Sequence, residues 1–153
     1  VTVENELDHI REYAKIINYR FMGKIRIEID AENAILNCKV FKLLLQPLVE
    51  NSVFHGLEQK IENGTVWVHV FSPDHATLCF VVEDDGCGIA SSDLTKVKAK
   101  FYKANSTVRG SGIGLAVADE IVAAHDGTLN IESELGRYTR VVITLPVAKK
   151  DEQ

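Results

Sequence analysis

Apolar residues recur at three- and four-residue steps between Glu4 and Phe21: Leu7, Ile10, Tyr13, Ala14, Ile17 and Phe21. That spacing lines one face of a helix. Gly23 ends it, and the pattern places Val1 already inside it. From Lys24 to Asp30 the period shortens to two, with Ile25, Ile27 and Ile29 set against Lys24, Arg26 and Glu28, a half-buried strand. Residues 40–56 are strongly apolar and read as helix, with Pro47 inside. A proline removes one amide and clashes one turn back, so this helix either starts close to Pro47 or bends there. Asn63-Gly64 signals a sharp turn. Thr65 to Phe71 and Leu78 to Glu83 follow as a strand pair, with Val66, Val68 and Val70 on one face of the first. Residues 90–109 show weak periodicity, a loop with room for one short helix. Residues 112–125 read as helix with Gly127 as its C-cap. Leu129 and Ile131 mark a strand, Gly136 a turn, and Val141, Ile143 and Leu145 the last strand. A polar tail closes the chain from Lys149 to Gln153.

The order helix–strand–helix–strand–strand–helix–strand–strand suits a sheet covered on one face by helices, a two-layer α+β sandwich. Its 153 residues, 46% hydrophobic, suffice for one domain spanning 1–153, with no repeat and no linker. A net charge of −5 discounts nucleic-acid binding. Cys38, Cys79 and Cys87 form no CxxC pair and read as reduced thiols of a cytosolic protein. No apolar run approaches a membrane span. No HxH or HExxH spacing points to zinc, and His9 reads as a surface helix residue. With no initiator Met, the chain reads as a piece of a longer protein.

Three short motifs carry the candidate chemistry. The first runs from Gln46-Pro47 through Glu50-Asn51 to His55-Gly56. Asn51 and His55 share a helical face. An uncharged Asn oxygen suits Mg²⁺ shared with phosphates, and His55 can donate to one. A helix end meeting solvent is the plain alternative. The second, Asp84-Asp85-Gly86-Cys87-Gly88-Ile89, follows a strand. A carboxylate at a strand end can accept from the adenine amino group, and Gly86 and Gly88 leave room for a flat ring against backbone. A simple Asp-Gly turn accounts for the same letters. The third, Gly110-Ser111-Gly112-Ile113-Gly114-Leu115, opens a helix. Glycine-rich backbone and a helix N-terminus attract anions. It is neither a dinucleotide fingerprint nor a Walker loop, and a flexible hinge is its alternative. Ahead of it, Lys96, Lys98, Lys100, Lys103 and Arg109 against Asp93 give residues 90–109 a charge of +4. That suits a lid over phosphates, or a solvated surface loop.

Taken together, these motifs resemble the asparagine box and the two glycine boxes of the ATP-binding domain of sensor histidine kinases, part of the gyrase, Hsp90, histidine kinase and MutL superfamily. Phe101-Tyr102-Lys103 resembles its F box. Leu43 to Asn51, with Tyr13 and Tyr19-Arg20-Phe21 upstream, is similar to the LytS- and YesM-type subgroup. The resemblance covers nearly the whole chain. It implies a Bergerat-type fold, a mixed sheet with helices on one face and ATP beneath a lid at residues 90–109. By position, Asn51 would ligate Mg²⁺ and Asp84 would read the adenine amino group. Gly86 and Gly88 would shape the base pocket, with Ile89 beside them in the nucleotide site. His55, Tyr102, Lys103, Arg109, Gly110, Ser111, Gly112, Ile113, Gly114 and Leu115 would complete the nucleotide site. Glu50 is the candidate catalytic residue, to orient a metal-bound water or polarise the acceptor.

Three departures stand out. Pro47 occupies the position where ATPase relatives carry a water-activating Glu, which argues for phosphoryl transfer over fast hydrolysis. Phe54 stands where many members carry Lys. Tyr138 replaces a Gly common in the final hairpin, a structural change. The implied function is transfer of the γ-phosphoryl of ATP–Mg²⁺ to a histidine on a dimerisation module preceding the helix of residues 1–22, and thence to a response regulator. The parent would be a homodimer, with this domain cytoplasmic and an anchor in the membrane compatible with it. The fragment alone would not label itself. A stand-alone ATPase of the superfamily, or a non-enzymatic module that senses nucleotide or docks partners, are the alternatives.

Overall fold

The structure, a computed structural model, describes residues 1–57, 63–97 and 113–147. Helix α1 spans Val3–Arg20. Thr2 caps it: the Asn5 amide donates to Thr2 Oγ1 at 3.1 Å and the Thr2 amide to Asn5 Oδ1 at 3.0 Å, a reciprocal box that satisfies two free amides. Val1 therefore lies outside the helix that the apolar spacing gave it. Instead its ammonium reaches the Val40 carbonyl at 3.2 Å.

Strand β1 is Ile25–Ala31. The apolar stretch that follows is not one helix. Helix α2 occupies only Gln46–Asn51, with Pro47 in its first turn, where a missing N–H costs nothing. Beyond Asn51 the chain widens into a π-turn over Ser52–Leu57. Strands β2 (Gly64–Phe71) and β3 (Thr77–Asp84) precede a short α3 (Ser91–Val97). Then come α4 (Ile113–Ala124), β4 (Thr128–Glu134) and β5 (Tyr138–Pro146). The five strands form one sheet in the order β1-β2-β3-β5-β4. β1 and β2 run parallel and the other neighbours antiparallel, a mixed sheet.

Both long helices stop in the same way. Met22 takes a left-handed φ of 54° and Asp126 one of 61°. The amide after each reaches back five residues, Gly23 to the Asn18 carbonyl and Gly127 to Val122, both at 2.9 Å. This is the Schellman arrangement. Gly127 is thus not the left-handed cap; Asp126 is. Glycine is needed at 127 because a Cβ there would lie 2.4 Å from the Thr144 carbonyl.

One face of the sheet meets the helices. Val66, Val68, Val70, Leu78, Phe80, Val82, Val141, Ile143 and Leu145 are buried against Leu7, Ile10, Ile17, Leu48, Val49 and Val122. The other face is mixed: Trp67, Phe71, Val81 and Val142 share it with Arg140, which binds Glu83 at 2.6 Å and Glu132 at 2.9 Å. The described chain is therefore the two-layer α+β sandwich that the patterning predicts. Among the described residues no helix is long and apolar enough to cross a membrane.

Candidate functional site

Alternation along three adjacent strands puts even-numbered β3 positions and odd-numbered β4 and β5 positions on the core face. At one end of the sheet that row turns polar. Asp84 pairs with Thr139 and Thr139 with Ser133, so three polar side chains line up across β3, β5 and β4. Asp84 is only 1% exposed and Thr139 9%. Buried polar groups must be hydrogen-bonded, and each of these has partners. Ser133 Oγ lies 3.0 Å from Thr139 Oγ1, donates to the Tyr138 carbonyl at 2.7 Å and accepts the Ile89 amide at 2.7 Å. The Gly86 amide donates to Asp84 Oδ1 at 2.9 Å.

The helical layer contributes Ser52, directly after Asn51, whose hydroxyl hydrogen-bonds Asp84. Burial pushes the Asp84 carboxyl up to about 6; the Gly86 amide and Ser52 hydroxyl pull it down, and Asp85 and Glu83 push it further up. A carboxylate has about four acceptor positions. Asp84 therefore has acceptor capacity to spare at a site where solvation is poor. Asp85, by contrast, is spent on the fold: its Oδ1 takes the Thr65 amide at 2.9 Å.

The loop after Asp84 is fastened to the β4–β5 hairpin. The Gly136 amide donates to the Cys87 carbonyl at 2.6 Å. Gly88 has a φ of +68°, and a Cβ there would sit 2.1 Å from the Glu134 carbonyl. The sequence pattern assigned Gly88 to a flat ring. Here hairpin backbone is what excludes a side chain.

Asn51 ends α2 half-buried, and no described residue hydrogen-bonds its carboxamide. Its oxygen is thus available to a ligand. Among the described residues no group of three or more His, Cys, Asp or Glu side chains could hold a metal ion alone. Glu50 turns toward α1. Gln46 Nε2 donates to Glu50 Oε1 at 3.0 Å. The phenol of Tyr13, buried without a partner, is pushed up to about 12, first by burial and then by the Glu50 charge, against the pull of Arg20.

Ser52 therefore ties the end of α2, where Asn51 stands, to Asp84, and α2 packs against α4, the helix opened by Ile113, Gly114 and Leu115. The side chains of those three residues, and that of His55 in the π-turn, lie outside the described residues, as do Tyr102, Lys103, Arg109, Gly110, Ser111 and Gly112. Three site residues, Thr139, Ser133 and Ser52, are absent from the sequence-based set. Thr139 was visible as a polar residue at a core position of an alternating strand, in step with Val141, Ile143 and Leu145. Ser52 had no signal beyond its place beside Asn51.

Residues 39–149 match the family of histidine kinase-, DNA gyrase B- and HSP90-like ATPases, and the chain belongs to that family. Within it, the chain is a catalytic ATP-binding domain of the sensor histidine kinase kind. It is 30% identical to the sensor histidine kinase YesM of Bacillus subtilis (strain 168) over 95% of its own length and 24% of that protein's. To the sensor protein RprX of Bacteroides fragilis (strain YCH46) it is 31% identical, over 86% and 26%. The chain thus spans about a quarter of these relatives. Its fold is similar to that of the mycobacterial sensor histidine kinase MprB, with a TM-score of 0.70 at 22% identity, covering 96% of this chain and 97% of that one. The catalytic domain of histidine kinase ThkA is similar with a TM-score of 0.72 at 15% identity, over 96% and 94%.

Proposed function

We propose that this domain binds ATP with Mg²⁺ and donates the γ-phosphoryl to a histidine on a dimerisation module of its parent protein. The observation that carries this reading is the buried polar row at the sheet end. Asp84 and Thr139 offer an acceptor and a hydroxyl side by side in an otherwise apolar wall, a donor–acceptor set that suits the edge of adenine. Asn51 is the residue proposed to hold Mg²⁺, which would supply charge neutralisation at the phosphates; a half-buried amide oxygen without a partner among the described residues fits that cation. Glu50, beside it in the chain, is the proposed catalytic carboxylate. His55, Gly86, Gly88, Ile89 and the segment from Tyr102 to Leu115 complete the proposed nucleotide site. The ordering of these groups supplies catalysis by positioning and electrostatics.

The acceptor module, a response regulator, a homodimeric parent and a cytoplasmic site of action belong to the same proposal. The first turn of α2 carries Pro47 and no carboxylate to activate water, which supports transfer over hydrolysis. Incubation with γ-labelled ATP tests it. The chain alone stays unlabelled and releases little phosphate, and label appears on a histidine when the parent's dimerisation module is added. Rapid phosphate release with no transfer would instead make the domain an ATPase.

A further inference from the structure

Arg20 closes α1, and its guanidinium carbon lies 5.5 Å from the ring centroid of Phe21 and 5.5 Å from that of Phe54. Phe54 follows Asn51 by three residues, in the turn that continues α2. Two aromatic faces thus fix a cation beside Phe54, three residues along the chain from the residue proposed to hold the metal. No carboxylate or carbonyl of a described residue pairs with this guanidinium. Among the described residues its N–H donors are thus unpaired, in a planar fork that matches phosphate oxygens.

Charge around the site makes that cation consequential. The described side chains at the Asn51–Asp84 end are neutral or acidic: Glu50, Asp84 and Asp85 stand against a polyphosphate. Tyr13 senses both Glu50 and Arg20, so the guanidinium shares one patch with the residue adjoining Asn51.

We propose that Arg20, seated on Phe54, is a phosphate-binding residue of the nucleotide site, delivered from α1 rather than from the motif that carries Asn51. The proposal rests on the ATP reading and deepens it. It makes α1 part of the ligand site, so that the helix position and nucleotide affinity are linked.

Calorimetric titration of the full chain with ATP and with adenosine, at millimolar Mg²⁺, tests it. Arg20→Ala and the length-preserving Arg20→Gln are each expected to weaken ATP binding about tenfold, the scale of one charge-assisted contact. Adenosine affinity stays within about twofold of wild type, because the base end is untouched. Adding Phe54→Lys to Arg20→Ala returns a cation to the same patch and restores most of the ATP affinity. Unchanged ATP affinity in both single variants overturns the proposal. So does equal weakening for ATP and adenosine, which marks a purely structural residue. A wild-type chain that binds neither ligand removes the ATP reading itself and this proposal with it.

Discussion

Asp84→Asn is expected to abolish ATP binding while making the empty domain more stable above neutral pH. The two effects share one cause. Asp84 is 1% exposed and burial raises its carboxyl to about 6, over the opposing hydrogen bonds from Gly86 and Ser52. An acid whose pKa is higher folded than unfolded favours folding in its protonated form. Its stabilising contribution is complete below the unfolded value of 3.8 and is lost as pH rises through about 6. Above that, the fold carries a buried charge, and each tenfold difference in proton affinity between the folded and unfolded chain corresponds to about 1.4 kcal/mol. The isosteric amide has no such charge. Thermal unfolding at pH 8 should show the variant more stable by about 2–3 kcal/mol, with the gap closing below pH 4. Unfolding curves that differ equally at both pH values would contradict this origin.

The same amide has one acceptor oxygen where the carboxylate has two. If that oxygen serves the Gly86 amide, the NH₂ confronts the adenine amino group; if it turns, the NH₂ confronts Gly86. A site left with opposed donors rejects its ligand strongly, and ATP affinity should fall by more than about a hundredfold. Wild-type affinity should also weaken as pH drops below about 6, the range in which Asp84 takes up its proton.

Glu6→Ala is expected to cost on the order of 4 kcal/mol of stability, as much as truncating a large core side chain. Glu6 is 2% exposed although it sits on a helix surrounded by charges. Its carboxylate accepts the amides of Leu43, Leu44 and Leu45 at 3.0, 2.7 and 3.2 Å. These residues lead into α2, whose N-cap, Leu45, has no side chain able to cap it. Leu43 adopts a left-handed φ of 61°, a conformation a bulky residue takes only when its surroundings impose it. Truncation leaves three amides without an acceptor and frees the entry to the helix that holds Asn51. Glu6→Gln keeps one acceptor oxygen and should cost about half as much. Urea unfolding measures both, and a loss below about 1 kcal/mol for Glu6→Ala would show that the amides find water instead.

The strands were legible because period-two alternation maps directly onto a half-buried sheet. Val66, Val68 and Val70 are buried as their spacing requires. Pro47 limited where α2 could begin, and the true start at Gln46 is one of the two outcomes it allows. Asp84 was legible as a carboxylate ending an apolar strand. What failed to show was chemistry between side chain and backbone across long separations. Glu6 reads as an ordinary surface acid because its partners are amides, which leave no mark in the letters. Gly88 and Gly127 leave no room for a side chain because carbonyls on β4 and β5 crowd them, contacts that no local pattern reveals. Thr139 was within reach, since a polar residue in step with three core positions asks for a buried partner, and Asp84 lies directly across from it.

The claim on which the rest depends is that the polar row ending β3, β5 and β4 reads an adenine. Parallel titrations of the full chain with ATP and GTP at millimolar Mg²⁺ test it most directly. Saturable one-to-one binding of ATP is expected, with GTP weaker by at least about a hundredfold because its six-position oxygen would face the Asp84 carboxylate. Absence of ATP binding, or equal affinity for the two nucleotides, would contradict the account.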